Sequence, residues 1–217
     1  TRETVERLPA SQRSTSEDDE QFETLTAVGT PLHRRLDVKD APRAFERDAE
    51  VSSLLSYLAD STDRSVLLIG PPGVGKTAIV QDAVARMIQE EVPRGLSERQ
   101  VWQISGGRLM AGMRFLGQWQ ERVVEMVREV REARGILFAE NLVELLEASG
   151  NEKYAEGIPG LLLPHIQSGE IVLVTELRPE QLSHVEQRQP TLLRALRQLR
   201  VESMSPGRTD AVLERVS

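Results

Sequence analysis

Apolar positions recur along this chain in two rhythms: short unbroken runs, and longer stretches spaced by three and four. Val66–Ile69 is an unbroken run that predicts a buried strand, and Ala78, Ile79, Ala83, Val84 and Met87 after it keep helical spacing. Val101–Ser105 predicts a second strand, Gly117–Arg134 a long amphipathic helix through Val123, Val127 and Val130, and Ile136–Ala139 a third strand. Ala155–Gln167 reads as a helix in which Pro164 marks a kink or an early stop. Ile171–Val174 predicts a fourth strand, Pro179–Glu186 and Thr191–Gln198 short helices, and Leu199–Glu202 a fifth strand. Upstream, Asp48 is placed to cap a helix carrying Val51, Leu54, Leu55 and Leu58. Strands alternating with helices predict the α/β class: a mostly parallel five-stranded sheet with helices on both faces. In such a sheet, ligands sit at the carboxyl ends of the strands.

The first 21 residues lack this patterning and carry the run Ser16–Glu20, SEDDE. Such a stretch buries too little apolar surface to offset its ordering entropy, so residues 1–21 are expected to be a disordered linker. Order should begin near Phe22 and continue through Leu25, Val28 and Leu32. The 217 residues suffice for one substantial core, expected over 22–208. A formal net charge of −7 argues against a nucleic-acid backbone as partner. The absence of cysteine removes disulfides, thiolate metal sites and cysteine nucleophiles, and accords with a cytoplasmic location. No apolar run approaches the roughly 20 residues needed to cross a bilayer, so no membrane partner is expected. With no initiator Met and no signal-like start, the chain reads as a piece of something longer.

Between the first strand and its helix lies the pattern G-x-x-x-x-G-K-[ST], spelled by Gly70, Pro71, Pro72, Gly73, Val74, Gly75, Lys76 and Thr77, with Ala78 following. Strand, glycine-rich loop and helix are the context in which this pattern binds phosphates. Backbone N–H groups of the loop and the helix N-terminus surround the phosphates, the Lys76 ammonium reaches the β- and γ-phosphates, and the Thr77 hydroxyl joins a Mg²⁺ shell. ATP or ADP with Mg²⁺ is therefore the expected ligand. Phosphoryl transfer also needs an acidic residue for the metal, a group to orient the attacking water and a cation for developing charge. The apolar run Ile136–Ala139 ends in Glu140 and Asn141. In one register Glu140 is the metal-side acid and Asn141 replaces the water-activating carboxylate; an amide accepts no proton, so hydrolysis would be badly impaired. In the other, Ala139 occupies the metal-side position and Glu140 is the base.

Five segments carry a family resemblance: FERDAEV at Phe45–Val51, GPPGVGKTAIV at Gly70–Val80, MAGMRFLGQWQERV at Met110–Val123, ILFAENL at Ile136–Leu142 and GLLLPHIQSGEIVLV at Gly160–Val174. In this order, and followed by the Arg194 region, they resemble the large subdomain of the first ATPase domain of Clp-type AAA+ unfoldases and disaggregases, over about Leu25 to Arg208. The resemblance implies a nucleotide held between ring neighbours and mechanical work on protein clients. It favours the register with Glu140 on the metal side, because Leu142 matches the apolar residue that follows the family's Asp-Glu pair. It sets Ala44–Arg47, and Phe45 in particular, against the adenine. The family's polar sensor falls at Leu177, with Thr175 as a substitute. Of its paired arginine fingers, Arg194 remains and the second position is Ala195. Phe115 matches the pore-loop aromatic that grips substrate, with Leu116 in place of a basic residue. Thr209–Ser217 would begin the first helix of the lid.

Simpler readings stand beside these. Phe115 could pack locally, Trp119 reads as core, and Arg194, Arg197 and Arg200 could form one solvated helix face. His33, His165 and His184 have no metal-ligand spacing. The sequence thus predicts an ATP-binding AAA+ domain of Clp type with impaired or absent hydrolysis, acting as a nucleotide-dependent assembly or protein-interaction module in a homo- or hetero-oligomeric ring. An active ATPase that remodels proteins and a nucleotide-free scaffold are the alternatives.

Overall fold

A computed structural model describes residues 21–36, 43–60, 64–113, 117–148 and 157–203. The expectations for the first 20 residues, for Phe115, and for the lid segment Thr209–Ser217 lie outside the described residues.

Along the described chain run α1 (Glu23–Val28), β1 (Gly29–Pro31), α2 (Leu32–Arg35), α3 (Asp48–Ala59), β2 (Val66–Ile69), α4 (Lys76–Ile88), α5 (Arg94–Ser97), β3 (Val101–Ile104) and α6 (Gly106–Met110). They are followed by α7 (Gln118–Ala133), β4 (Ile136–Ala139), α8 (Leu142–Glu147), α9 (Gly157–Gln167), β5 (Val172–Leu177), a 3₁₀ turn (Pro179–Gln181), α10 (Leu182–Arg188), α11 (Pro190–Ala195) and β6 (Arg197–Arg200). The sheet has six strands in the order β1-β3-β4-β5-β2-β6. β2 to β6 pair in parallel, and β1 lies antiparallel on β3 at the edge. The extra strand, Gly-Thr-Pro, is too short for a period, and its proline fits an edge position.

Alternation along the buried strands divides the core between two faces. Leu67, Ile69, Trp102, Ile104, Leu137 and Leu173 pack against α7 through Val123, Met126, Val127 and Val130, with α8 and α9 beside it. Val66, Leu68, Val101, Ile136, Phe138, Val172 and Val174 pack on the other face against Val51, Leu54 and Leu58 of α3 and Ile79, Ala83 and Val84 of α4. The sandwiched sheet therefore holds the carboxyl ends of β2, β4 and β5 in one row. Helix α1 is anchored from across the fold: the buried Glu129 of α7 accepts the backbone N–H groups of Thr24 at 3.2 Å and Leu25 at 2.6 Å. A carboxylate at a helix N-terminus satisfies donors that have no partner within the helix.

Several local expectations are corrected. Arg47, not Asp48, holds the N-cap position of α3, and Asp48 enters the first turn, where an acidic residue also suits the helix dipole. Pro164 neither ends nor shortens α9, which runs to Gln167 and gives way to Gly169 at φ +71°. β5 extends to Leu177, through Thr175 and Glu176. The helix expected over Thr191–Gln198 stops at Ala195, and the chain turns extended to pair Arg197–Arg200 with β2. Arg197 and Arg200 thus lie on a strand and share no helix face with Arg194. No described helix is long and apolar enough to cross a membrane.

Candidate functional site

The glycine-rich loop leaves β2 at Gly70 and enters α4 at Lys76. A side chain at Gly70 would collide with the Val201 carbonyl, 2.4 Å from an added Cβ, so this glycine lets the loop press against the strand extension beyond β6. At Gly73 and Gly75 the constraint is conformational: φ is +75° and +97°, while an added Cβ would meet nothing within 4 Å. No side chain caps α4, so none competes with a ligand for the first N–H groups of the helix. Lys76, 8% exposed, folds back across the loop, its Nζ donating to the carbonyls of Gly70 at 2.8 Å and Pro71 at 2.9 Å.

A cavity of about 210 Å³ opens on the loop, lined among others by Gly73, Lys76, Glu140, Asn141, Glu176 and Leu177. The ends of β2, β4 and β5 meet here, as a parallel sheet with this strand order dictates. The carboxylate beside Thr77 is that of Glu176, whose Oε1 accepts the Thr77 hydroxyl at 2.8 Å. Glu176 is 6% exposed. Burial pushes its carboxyl up to about 7; the Thr77 hydrogen bond and the Lys76 charge oppose this, and the Glu140 charge adds to it. Glu140 is exposed and accepts from Gln103 Nε2 at 2.5 Å, while Gln103 Oε1 in turn accepts from Arg35 Nη1 at 2.5 Å. Asn141 is the N-cap of α8, its Oδ1 accepting from the N–H groups of Val143 at 3.0 Å and Glu144 at 3.3 Å. The hydroxyl of Thr77 and two carboxylates are hard oxygen donors, and with the lysine and helix terminus they fit a magnesium-bound phosphate.

Residues 44–47 are brought to the same region. Ala44 N donates to the buried Asp82 of α4 at 2.9 Å, and Arg47 Nη2 reaches the carbonyls of Val74 at 3.1 Å and Glu202 at 2.7 Å. Phe45 lies half-buried between them, and Glu46 turns the chain at φ +59°. Arg194 is exposed on α11, its Nη2 3.4 Å from Thr191 Oγ1, and does not line the loop cavity. Thr175 is fully buried and donates to the Ala139 carbonyl at 2.8 Å, which commits the hydroxyl to the β4–β5 seam. It cannot replace a polar group at Leu177.

Two residues of the site escaped the sequence reading. Glu176 had a signal, as the one charge within the apolar stretch Ile171–Leu177. Gln103 had none, because its role depends on strand neighbours; Arg47 was placed with the adenine segment, and its bonds to the Val74 and Glu202 carbonyls join that segment to the loop. Among the described residues no group of three or more His, Asp or Glu is arranged to hold a metal on its own.

Comparison with known proteins agrees with this geometry. The profile of the AAA family, the ATPase family associated with various cellular activities, matches residues 66–197. The chain is 30% identical over 176 residues to the chaperone protein ClpB of Enterococcus faecalis, covering 80% of this chain and 20% of that one. With ClpB of Bacillus anthracis the identity is 28% over 206 residues, covering 94% and 24%. Its fold matches the Hsp104:casein complex of S. cerevisiae in the extended conformation with a TM-score of 0.78 at 23% identity, over 88% of this chain and 32% of that one. For the S. cerevisiae Hsp104–ADP complex the TM-score is 0.73 at 23% identity, over 88% and 26%. The chain thus spans a fifth to a quarter of the length of these ClpB relatives. With the phosphate-binding loop, the strand order and the family profile in agreement, this chain belongs to the AAA family of ATPases, as a domain of Clp type.

Proposed function

We propose that this domain binds ATP or ADP with Mg²⁺ and hydrolyses weakly or not at all, so that it serves as a nucleotide-dependent assembly or protein-interaction module. The observation that carries this reading is a complete phosphate loop beside a β4 end whose polar groups are otherwise engaged. Asn141 spends its acceptor oxygen on α8, and an amide cannot take a proton from water. Glu140 is drawn toward β3 by Gln103. On nucleotide binding Lys76 exchanges the Gly70 and Pro71 carbonyls for phosphate oxygens, and Thr77 with Glu176 and Glu140 supports the metal. Magnesium would supply charge neutralisation at the phosphates. Phe45 lies toward the base, and Arg194 faces a neighbouring subunit's nucleotide in a ring. Hsp104 was solved with ATPγS, with ADP and with casein, which supports nucleotide and protein partners for a Clp-type domain.

A titration with a fluorescent ATP analogue and Mg²⁺ tests the first half of the proposal, with Lys76→Ala as control. Saturable binding lost in the variant is the expected result; no binding would leave a nucleotide-free scaffold. Turnover at about 1 s⁻¹ or faster, the scale of ordinary enzymes, would overturn the second half.

One observation favours an active ATPase instead. With Glu176 beside Thr77, the metal-side acid comes from β5, and Glu140 is released to act as the base. Glu140→Gln then separates the readings: it abolishes measurable turnover in an active enzyme and changes little in an impaired one.

A further inference from the structure

The parallel sheet has a second end, opposite the phosphate loop. There Arg64, Arg99, Arg134 and Glu170 each stand two residues ahead of a strand, before β2, β3, β4 and β5 respectively. With Arg131 from the last turn of α7 they line a cavity of about 270 Å³. Four arginines face one glutamate in a chain whose formal charge is −7, so this concentration of positive charge is local and not a reflection of composition.

Arg99 is the centre of it. The side chain is 8% exposed, held by bonds from Nε to the Arg134 carbonyl at 2.9 Å and from Nη2 to the Gly135 carbonyl at 3.0 Å. Its Nη1 is buried and has no hydrogen-bond partner among the described residues. A buried charged donor without an acceptor is costly, and an anion placed against it recovers that loss. Burial, with the charges of Arg64 and Arg134, pulls the guanidinium down to about 10. The nearby carboxylates are already shared. Glu170 is bonded to His165 Nδ1 at 2.7 Å and lies 3.7 Å from Arg131 Nε, and Glu98 reaches Arg134 Nη1 at 3.5 Å.

We propose that this cavity is a second anion site, separate from the nucleotide loop, which takes a free, multiply charged phosphate with Arg99 Nη1 as its buried donor and Arg64, Arg131 and Arg134 around it. Guanidinium forks match phosphate oxygens in pairs, which a lysine cluster would not. The cavity lies below the range of about 300–1,000 Å³ typical of drug-sized ligands, and among the described residues no aromatic lines it. Size and lining therefore favour an ion over a whole nucleotide.

Pyrophosphate is the probe, titrated by ¹H–¹⁵N NMR into the full chain carrying Lys76→Ala, so that binding at the nucleotide loop cannot produce the signal. The expected result is saturable movement of the Arg99 Nε–Hε resonance and of the Gly135 and Gly169 amides. Adding Arg64→Gln and Arg131→Gln should weaken binding by about tenfold or more, the scale of losing one charged hydrogen bond. These two positions are chosen because Arg131 is exposed and Arg64 bonds a backbone carbonyl, that of Gly169, whereas truncating Arg99 would endanger the fold. An Arg99 resonance that does not move overturns the proposal. Equal affinity with and without the two arginines also overturns it and means an adventitious ion only. Neither result bears on nucleotide binding, which fails or stands with the Lys76 control alone.

Discussion

Replacing Glu176 by Gln should stabilise the nucleotide-free domain, and the gain should depend on pH. The buried carboxyl sits at about 7, where an open one titrates at 4.5. At about 1.4 kcal/mol per pH unit that gap corresponds to about 3 kcal/mol. The sign follows from proton counting. Between 4.5 and about 7 the folded chain holds a proton that the unfolded chain has released. The contribution of this proton to stability is therefore fully present below 4.5 and is lost as pH rises through about 7. A glutamine is neutral throughout, is close in shape, and still offers an oxygen to the Thr77 hydroxyl. Its advantage should be near zero at the acid end of this window, grow across it, and level off above it. Thermal and urea unfolding in EDTA without nucleotide, at about pH 5 and about pH 8, measure the difference. For a domain of this size about 3 kcal/mol corresponds to roughly 6–12 °C in Tm. A difference that is the same at both pH values would refute the reasoning, because burial of an ionising group would then not be its source. So would a variant less stable than the parent at the higher pH.

Asn141 separates capping from catalysis. Asn141→Ala should cost about 1 kcal/mol through loss of the α8 cap, whereas Asn141→Asp should leave urea-unfolding stability nearly unchanged because aspartate caps equally well. Glu129→Ala should destabilise by about 1–3 kcal/mol, since the buried Leu25 N–H loses its acceptor; hydrogen exchange should show α1 opening before the rest of the sheet. The affinity of the Glu176→Gln variant for an ATP analogue should fall when Mg²⁺ is present and hold when EDTA replaces it, as read by the same fluorescence titration.

Much of the architecture was legible because each face of the sheet obeys a simple period. Val66–Ile69 and Ile136–Ala139 are unbroken apolar runs, and α7 shows its buried stripe at Val123, Val127 and Val130. The phosphate loop was legible for a different reason: its glycines, lysine and threonine act on adjacent backbone, so the whole device lies within a few residues. Elements at the periphery were not legible. β1 is three residues of Gly-Thr-Pro, stabilised by pairing with β3 and not by any local preference. β6 was misplaced by two residues because its burial alternates with Arg197 and Arg200, and charged residues at strand positions hide the pattern. The Arg64–Arg99–Arg134 cavity had no sequence signature at all, since its members come from three separate strand starts.

Glu176 shows most directly what a linear motif misses. The apolar run of β4 ends in Glu140 and Asn141, yet the loop's threonine is bonded elsewhere. β5 lies between β4 and β2, and its pairing with β2 sets Leu68 opposite Glu176 and Ile69 opposite Leu177. One strand position decides the face. Val172 and Val174 pack toward α3 and α4, so Glu176, two positions on, also points to the α4 side and meets Thr77. Thr175 and Leu177 belong to the opposite face, with Leu173. A sensor shifted back to Thr175 would therefore stay on Leu177's face and end lower in the sheet, where its hydroxyl joins Ala139. Register thus exchanges roles between neighbours. Where the resemblance calls for a polar residue the chain has Leu177, a carboxylate stands one residue earlier on the other face, and the acid bonded to the loop's threonine belongs to β5. The impairment inferred from Glu140 and Asn141 consequently depends on whether a carboxylate at Glu176 serves the metal as well as one at the end of β4 would. Glu140→Gln tests the base, Glu176→Gln tests the metal side, and an active site divided between these two carboxylates requires both substitutions to lower turnover.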